Sequence, residues 1–401
     1  MMGVITPTVS VPIVPAPDET DVVAVVASGA TLAAAASRAW DDGRAILPID
    51  PAFTASEIDA LLARLRPTHL HDARRRDGVP AAADVVAVVV TSGTTGASKG
   101  VELSRAGMEM GRSYSTALDA THDDRWLVCL PLHHVASLGI LARSLVTGVP
   151  YTVHDGFDTA RVAASPSTEG TTLVSVVPTA LKRLLDAGAP LHQYRRVIVG
   201  GAPLSAGLRS RAEAAGAQVV DAYGLSETWG GFALDGYPIA GAEARIDDAR
   251  DEILVRGAMV MQGYRLDPLL TADARDDGGW LHTGDAGTRD ANGRLKVTDR
   301  LKDVIISGGV NVSPTEVEAV LARHPQVADV CVVGSPDDEW GERVVAVVVP
   351  ACHTDPSLGE LREFAAERLS AAKLPRELRL VQTIPRTVSG KPLRRLLRDP
   401  S

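Results

Sequence analysis

Hydrophobic residues follow two alternating patterns over the first half of the chain. Short, unbroken apolar runs stand at 22–28, 45–50 and 84–90. Between them lie stretches with helical spacing at 32–40 and 57–65. Unbroken Val-rich runs predict strands buried on both faces, and the 3.6-residue period predicts helices. Thr54-Ala55-Ser56-Glu57 precedes the second helical stretch and fits a capping box, in which the Thr hydroxyl and Glu carboxylate satisfy opposite backbone N–H groups. Further strands are expected at 126–130, 172–177, 197–199 and 219–222, with helical stretches between them. The alternation predicts a large layered α/β domain with a mostly parallel sheet.

From about Ala244 the pattern changes to short strands and turns, at 251–256 and 294–298. A second unit begins near Lys302. It is expected to hold a helix at 315–323, strands at 327–334 and 344–350, a helix at 358–369 and a strand at 378–382. About 100 residues suffice for a small α+β domain. The expected division is therefore a large domain over 1–300, with a tail at 1–17, and a small mobile domain over 301–401.

Composition narrows the class. The 401 residues carry a formal charge of −9, which argues against general binding to nucleic acid or anionic membranes, since both need clustered positive charge. The longest apolar runs fall short of the ~20 residues that span a bilayer. Cys129, Cys331 and Cys352 are far apart and lack metal-ligand spacing, as expected of reduced thiols in a cytoplasmic protein.

Candidate chemistry starts at Thr91-Ser92-Gly93-Thr94-Thr95-Gly96-Ala97-Ser98-Lys99-Gly100, directly after a buried strand. Glycines let backbone N–H groups converge on an anion, hydroxyls donate to phosphate oxygens, and Lys99 adds positive charge. The Gly-Lys-Ser/Thr ending of a Walker loop is missing. Asp221-Ala222-Tyr223-Gly224-Leu225-Ser226-Glu227-Thr228 also follows a strand. The Tyr223 ring can stack on a purine, and Glu227 offers a hard oxygen for Mg²⁺.

Taken together, these segments resemble the acyl-CoA synthetase, peptide-synthetase adenylation domain and luciferase superfamily of adenylate-forming enzymes. The likeness runs from Val85 to Pro392, with six motifs in order. It implies that Thr91, Ser92, Gly93, Thr94, Thr95, Gly96 and Lys99 hold the ATP phosphates. Gly201, Ala202 and Pro203 would line the adenine pocket with Asp221, Ala222, Tyr223 and Gly224. Asp285 and Arg300 would hold the ribose. Glu227 would be the Mg²⁺ ligand, and Thr228 would donate to the α-phosphate. Lys302 would be the hinge, Gly308 and Gly309 would approach the coenzyme A channel, and Lys391 would bridge carboxylate and α-phosphate. His134, in Pro131-Leu132-His133-His134, matches a residue beside the acyl site. Ser137, Val177, Pro178, Gly201, Trp229, Gly230 and Phe232 would complete that pocket.

The implied activity is an AMP-forming acid–CoA ligase using ATP, Mg²⁺ and coenzyme A. The reduced length, 131–148 with its Arg143, and 223–238 resemble the short o-succinylbenzoate–CoA ligases, which implies an aryl or short acyl acid. A homodimer is expected from relatives. Two alternatives stay open: an adenylating enzyme that loads a carrier protein or another acceptor, and a catalytically silent nucleotide-binding protein.

Overall fold

The computed structural model describes residues 19–92, 98–351, 355–386, 390 and 392–398. It divides into two compact units, Met1–Ala244 with Leu254–His282, and Arg245–Ile253 with Thr283–Ser401.

The first unit is built on two seven-stranded sheets. In one, Tyr151–Val153, Trp126–Val128, Leu173–Val176, Arg196–Gly200 and Val219–Leu225 run parallel. Gly230–Leu234 then turns back antiparallel along Val219–Leu225, and Tyr237–Pro238 closes the edge. Val174, Val176, Leu181, Leu184, Val197 and Val199 form one core against this sheet.

The other sheet has Ala45–Ile49 and Val22–Val26 in parallel at its centre. Beside them lies the long antiparallel pair Val85–Ser92 and Ser98–Ser104. Leu47, Ile49, Leu61, Leu62 and Leu65 bury against it. The helix Ala55–Leu65 that supplies those leucines begins at the expected capping box: Thr54 N–H donates to Glu57 at 2.7 Å, and Glu57 N–H to the Thr54 hydroxyl at 3.3 Å.

The second unit contains a five-stranded sheet in which Gly341–Pro350 is the common partner and Val327–Asp337 pairs with it antiparallel at one end. Glu377–Leu380 adds in parallel, and the helices Pro314–Leu321 and Leu358–Ala366 cover it. A separate ribbon pairs Asp285 with Arg300. Among the described residues no helix is long and apolar enough to cross a membrane.

Candidate active site

In parallel α/β sheets, ligands gather outside the carboxyl ends of the strands. Two such ends in the first unit carry candidate motifs. After Arg196–Gly200 the chain turns through Gly201, at φ +79°, into Ala202 and an exposed Pro203. A Cβ at Gly200 would meet the Ala222 carbonyl oxygen at 2.8 Å, so the two strand ends lie close together. Asp221 N–H donates to Asp235 at 3.2 Å, tying the octet to the following turn. Tyr223 is half-buried, with its ring edge-on to Phe232 at 5.0 Å. Phe232, expected in the acyl pocket, is fully buried and backs the Tyr223 ring.

Gly224 admits the closest approach in this segment. A Cβ there would lie 1.6 Å from the Gly230 carbonyl oxygen. The next turn, Ser226–Thr228, is held by Thr228 itself. That side chain is fully buried, and its hydroxyl accepts from Leu225 N–H at 2.9 Å and lies 2.8 Å from Gly230 O. In this conformation Thr228 thus fixes the turn that presents Glu227, and its hydroxyl does not face solvent. The expected phosphate contact requires that bonding to change.

Glu227 has a partner that the sequence did not suggest. The Tyr264 hydroxyl donates to Glu227 Oε1 at 2.8 Å, and the Lys99 ammonium lies 4.9 Å from the centre of the Tyr264 ring. Tyr264 belongs to the short strand Gly263–Tyr264, which pairs with Val101 in Ser98–Ser104, so long-range pairing brings the three side chains together. Nothing local in Gly263-Tyr264 marks it as a site. Glu227 Oε2 has no hydrogen-bond partner among the described residues. No cluster of three or more His, Cys, Asp or Glu suited to a metal occurs among them either. A lone carboxylate suits Mg²⁺, which takes most of its ligands from phosphate and water. Thr91 pairs with Lys99 at the base of the expected phosphate loop; Gly93, Thr94, Thr95, Gly96 and the Ser92 side chain lie outside the described residues.

Among the residues expected at the acyl pocket, His134 caps the start of the helix Val135–Thr147 without a side-chain cap bond. Its ring lies 4.4 Å from that of His133, whose Nε2 is 3.4 Å from Asp50. His134 Nε2 is buried without a partner. Burial, with a smaller push from His133, lowers the His134 pKa to about 4, and burial lowers that of His133 too. His134 is therefore neutral at pH 7.

A folded-state pKa below the unfolded value means that stability is full above about pH 6.5 and is lost as pH falls through about 4. The loss amounts to about 3 kcal/mol. His134→Gln should remove this part, so the drop in Tm between pH 7.5 and pH 5 becomes smaller in the variant. An unchanged drop would contradict the assignment.

Ser137 is buried and donates to Leu130 O at 3.0 Å. Val177 caps the helix Pro178–Asp186, with Pro178 at its first turn, and Val177 Cγ1 lies 3.5 Å from where a Gly201 Cβ would be. These wall positions therefore meet at Gly201. Trp229 takes a left-handed conformation, φ +56°, and donates its indole N–H to Ser104 O at 3.0 Å. It is followed by Gly230 at φ +87°.

Behind Trp229 lies a cavity of about 20 Å³ lined by Tyr114, Gly139, Arg143, Thr228, Trp229 and Gly231, among others. Arg143 is buried, its guanidinium 4.4 Å from the Tyr114 ring centre and 5.3 Å from that of Trp126. Its Nε has no hydrogen-bond partner, it forms no ion pair among the described residues, and burial lowers its pKa. Burying a cation without a counter-ion is costly.

In the second unit, Asp285 and Arg300 face each other across their ribbon and form an ion pair of 2.7 Å, with Asp285 buried. Gly284, at φ +68°, donates its N–H to Glu252 at 2.8 Å and so fixes the turn before Asp285. Lys302 lies in the turn Leu301–Asp303, where its carbonyl accepts from Arg398 at 3.1 Å. Arg394 bonds to Glu318 and to Val332 O, and Asp303 lies 3.7 Å from Arg394 and 3.6 Å from Arg398. These arginines thus pin the short helix Arg395–Arg398 and the residue before it to the turn Leu301–Asp303. Gly308 and Gly309, both at positive φ, close the hairpin Ile305–Ser307 and Val310–Val312, whose Ile306 and Val310 are exposed. Lys391 lies outside the described residues.

Comparison with known proteins gives a consistent picture. The model of the AMP-binding enzyme family matches residues 19–265, and that of the AMP-binding enzyme C-terminal domain matches 316–391. The chain is 36% identical over 335 residues to a 2-succinylbenzoate–CoA ligase of Bacillus pumilus (strain SAFR-032), covering 78% of this chain and 68% of that one. It is 38% identical over 341 residues to a 3-[(3aS,4S,7aS)-7a-methyl-1,5-dioxo-octahydro-1H-inden-4-yl]propanoyl:CoA ligase of Rhodococcus jostii (strain RHA1), covering 79% and 65%. Its fold matches the o-succinylbenzoate CoA synthetase of Bacillus subtilis in complex with its acyl-adenylate intermediate, with a TM-score of 0.83 at 28% identity over 95% of this chain and 88% of that one. Another structure of the same synthetase holds ATP and a magnesium ion, and matches with a TM-score of 0.83 at 28% identity over 94% and 89%.

Proposed function

The chain belongs to the AMP-binding enzyme family, and from that premise we propose that it is an AMP-forming acid–CoA ligase. The observation that most supports this reading is the Glu227–Tyr264–Lys99 group beside the strand that leads to the phosphate loop. It offers a carboxylate with one open oxygen and an ammonium free of any carboxylate partner among the described residues.

The reaction runs in two halves. A substrate carboxylate oxygen bonds to the α-phosphorus of ATP, the bond to the bridging oxygen breaks, and pyrophosphate leaves. Lys391 and Lys99 balance the charge that develops on the phosphates. Magnesium, held by Glu227, would neutralise triphosphate charge when bound. Tyr223 stacks on the adenine; Asp285 and Arg300 exchange part of their mutual bonding for the ribose. The segment after Lys302 then swings, bringing Gly308 and Gly309 towards the pantetheine. The coenzyme A sulfur bonds to the acyl carbon, the acyl–phosphate bond breaks, AMP leaves, and the thiol proton passes to solvent.

The acid we propose is an aryl or short acyl acid of the o-succinylbenzoate type. The buried Arg143 lacks a counter-ion, and its cavity has room for about one water. A second carboxylate at the far end of the substrate supplies the missing charge, directly or through that water. The test is CoA-thioester formation from matched mono- and dicarboxylic aryl acids. The diacid should be favoured by about 10–100-fold in kcat/KM, the range expected of a charged hydrogen bond, and Arg143→Met should remove the preference while leaving the monoacid rate. Equal use of both acids by the wild type would overturn the substrate assignment. Cys129 and Cys331 are buried free thiols with pKa values raised by burial to about 12. Such thiols suit a reducing compartment, and we place the enzyme in the cytoplasm, as a homodimer.

A further inference from the structure

The geometry points to Tyr264 as a positioning residue that organises Glu227 and Lys99 for MgATP, an inference that rests on the ligase reading above. One side chain touches both charges. Its hydroxyl donates to Glu227 Oε1 at 2.8 Å, while the face of its ring lies 4.9 Å from the Lys99 ammonium. Two consequences follow from elementary chemistry. A hydrogen bond to one carboxylate oxygen fixes the rotamer of Glu227 and leaves Oε2 open to a cation. A ring face attracts the ammonium through its quadrupole without neutralising it. Among the described residues Lys99 forms no ion pair, although a carboxylate stands on the other end of the same tyrosine. Tyr264 thus keeps two opposite charges apart that would otherwise collapse onto each other, and each stays available to its own ligand.

The platform is rigid, as a positioning role requires. Tyr264 N–H donates to Thr271 Oγ1 at 2.8 Å, and a Cβ on the preceding Gly263 would meet Thr271 Cγ2 at 2.8 Å. On the other side, Arg265 is buried and donates to Leu65 O at 2.6 Å and to Glu102 at 2.8 Å, while its backbone N–H donates to Gly100 O at 2.8 Å. The tyrosine therefore stands between two anchored neighbours, and the anchors include the strand that carries Lys99.

The test is a binding measurement, which does not depend on turnover. ATP affinity is measured by calorimetry in EDTA and in saturating Mg²⁺ for the wild type, Tyr264→Phe, Tyr264→Leu and Glu227→Gln. Tyr264→Phe keeps the ring and loses only the hydroxyl. It should bind metal-free ATP as the wild type does and lose about tenfold of the gain in affinity that Mg²⁺ confers. Tyr264→Leu should weaken metal-free binding as well, by about threefold, because Lys99 loses its seat. In the Glu227→Gln background, Tyr264→Phe should add no further loss of the Mg²⁺ effect. A Tyr264→Phe protein with the wild-type Mg²⁺ gain would overturn the positioning role and leave the ligase reading intact. A wild type that binds no MgATP would overturn both.

Discussion

Gly224→Ala is expected to abolish adenylate formation and to lower Tm by several degrees. The cause is local and severe: a methyl group at this position would lie 1.6 Å from the Gly230 carbonyl oxygen, 2.3 Å from its carbon and 2.7 Å from Gly231 Cα. All three are backbone atoms, so no rotamer change can relieve the clash. The antiparallel turn of Gly230–Leu234 along Val219–Leu225 must open, and with it the Thr228 bonds that present Glu227. Overpacking of this kind costs about 3 kcal/mol. Gly207 provides the control: it lies in the helix Ala206–Ala214, and a Cβ there would meet nothing within 4 Å. Gly207→Ala should leave Tm unchanged or slightly raised. Thermal unfolding of the two variants beside pyrophosphate exchange checks the pair, and wild-type behaviour of Gly224→Ala would contradict the account.

Lys391→Ala is expected to lower adenylate formation by about 10²–10³-fold, the usual effect of removing one group that stabilises charge developing in a transition state. The position rests on the motif Ser389-Gly390-Lys391. The neighbouring Gly390 carbonyl accepts from Arg386 at 2.9 Å, and Arg386 in turn pairs with Asp329 at 2.8 Å. Thioester formation from a presynthesised adenylate should change less, because attack there is at the acyl carbon and the pentavalent α-phosphorus that Lys391 stabilises forms only in the first half-reaction. Equal losses in both halves would indicate damage to the fold. No loss in either would remove Lys391 from the chemistry.

Much of the fold was legible because it depends on local patterns. The Val-rich run at 84–90 suits a buried strand, and Val85–Ser92 is one. The capping box at Thr54 and Glu57 forms as expected, because its two bonds span three residues. The helix Val135–Thr147 had no readable bounds: it is buried from Ser137 to Ser144, so no amphipathic period marks it, and His134 gives it no side-chain cap. The antiparallel return of Gly230–Leu234 was also hidden, since it depends on Gly224 and Gly230 passing at close range.

The site divides along the same line. Glu227 was legible from its octet, whereas its partner Tyr264 sits 37 residues further on and arrives through strand pairing. The bonding of Thr228 and the burial of Phe232 likewise depend on how the octet folds back, and residue type alone does not reveal that.

The central claim is that this chain makes an acyl-adenylate and passes the acyl group to coenzyme A. The most direct test is ATP–pyrophosphate exchange with o-succinylbenzoate, benzoates, cinnamates, short and medium fatty acids and amino acids, each repeated with coenzyme A and detection of the thioester. The account predicts exchange that depends on an aryl or short acyl acid, strongest with a dicarboxylic one, followed by its CoA thioester. Exchange without any CoA thioester, or no exchange with any acid, would contradict it.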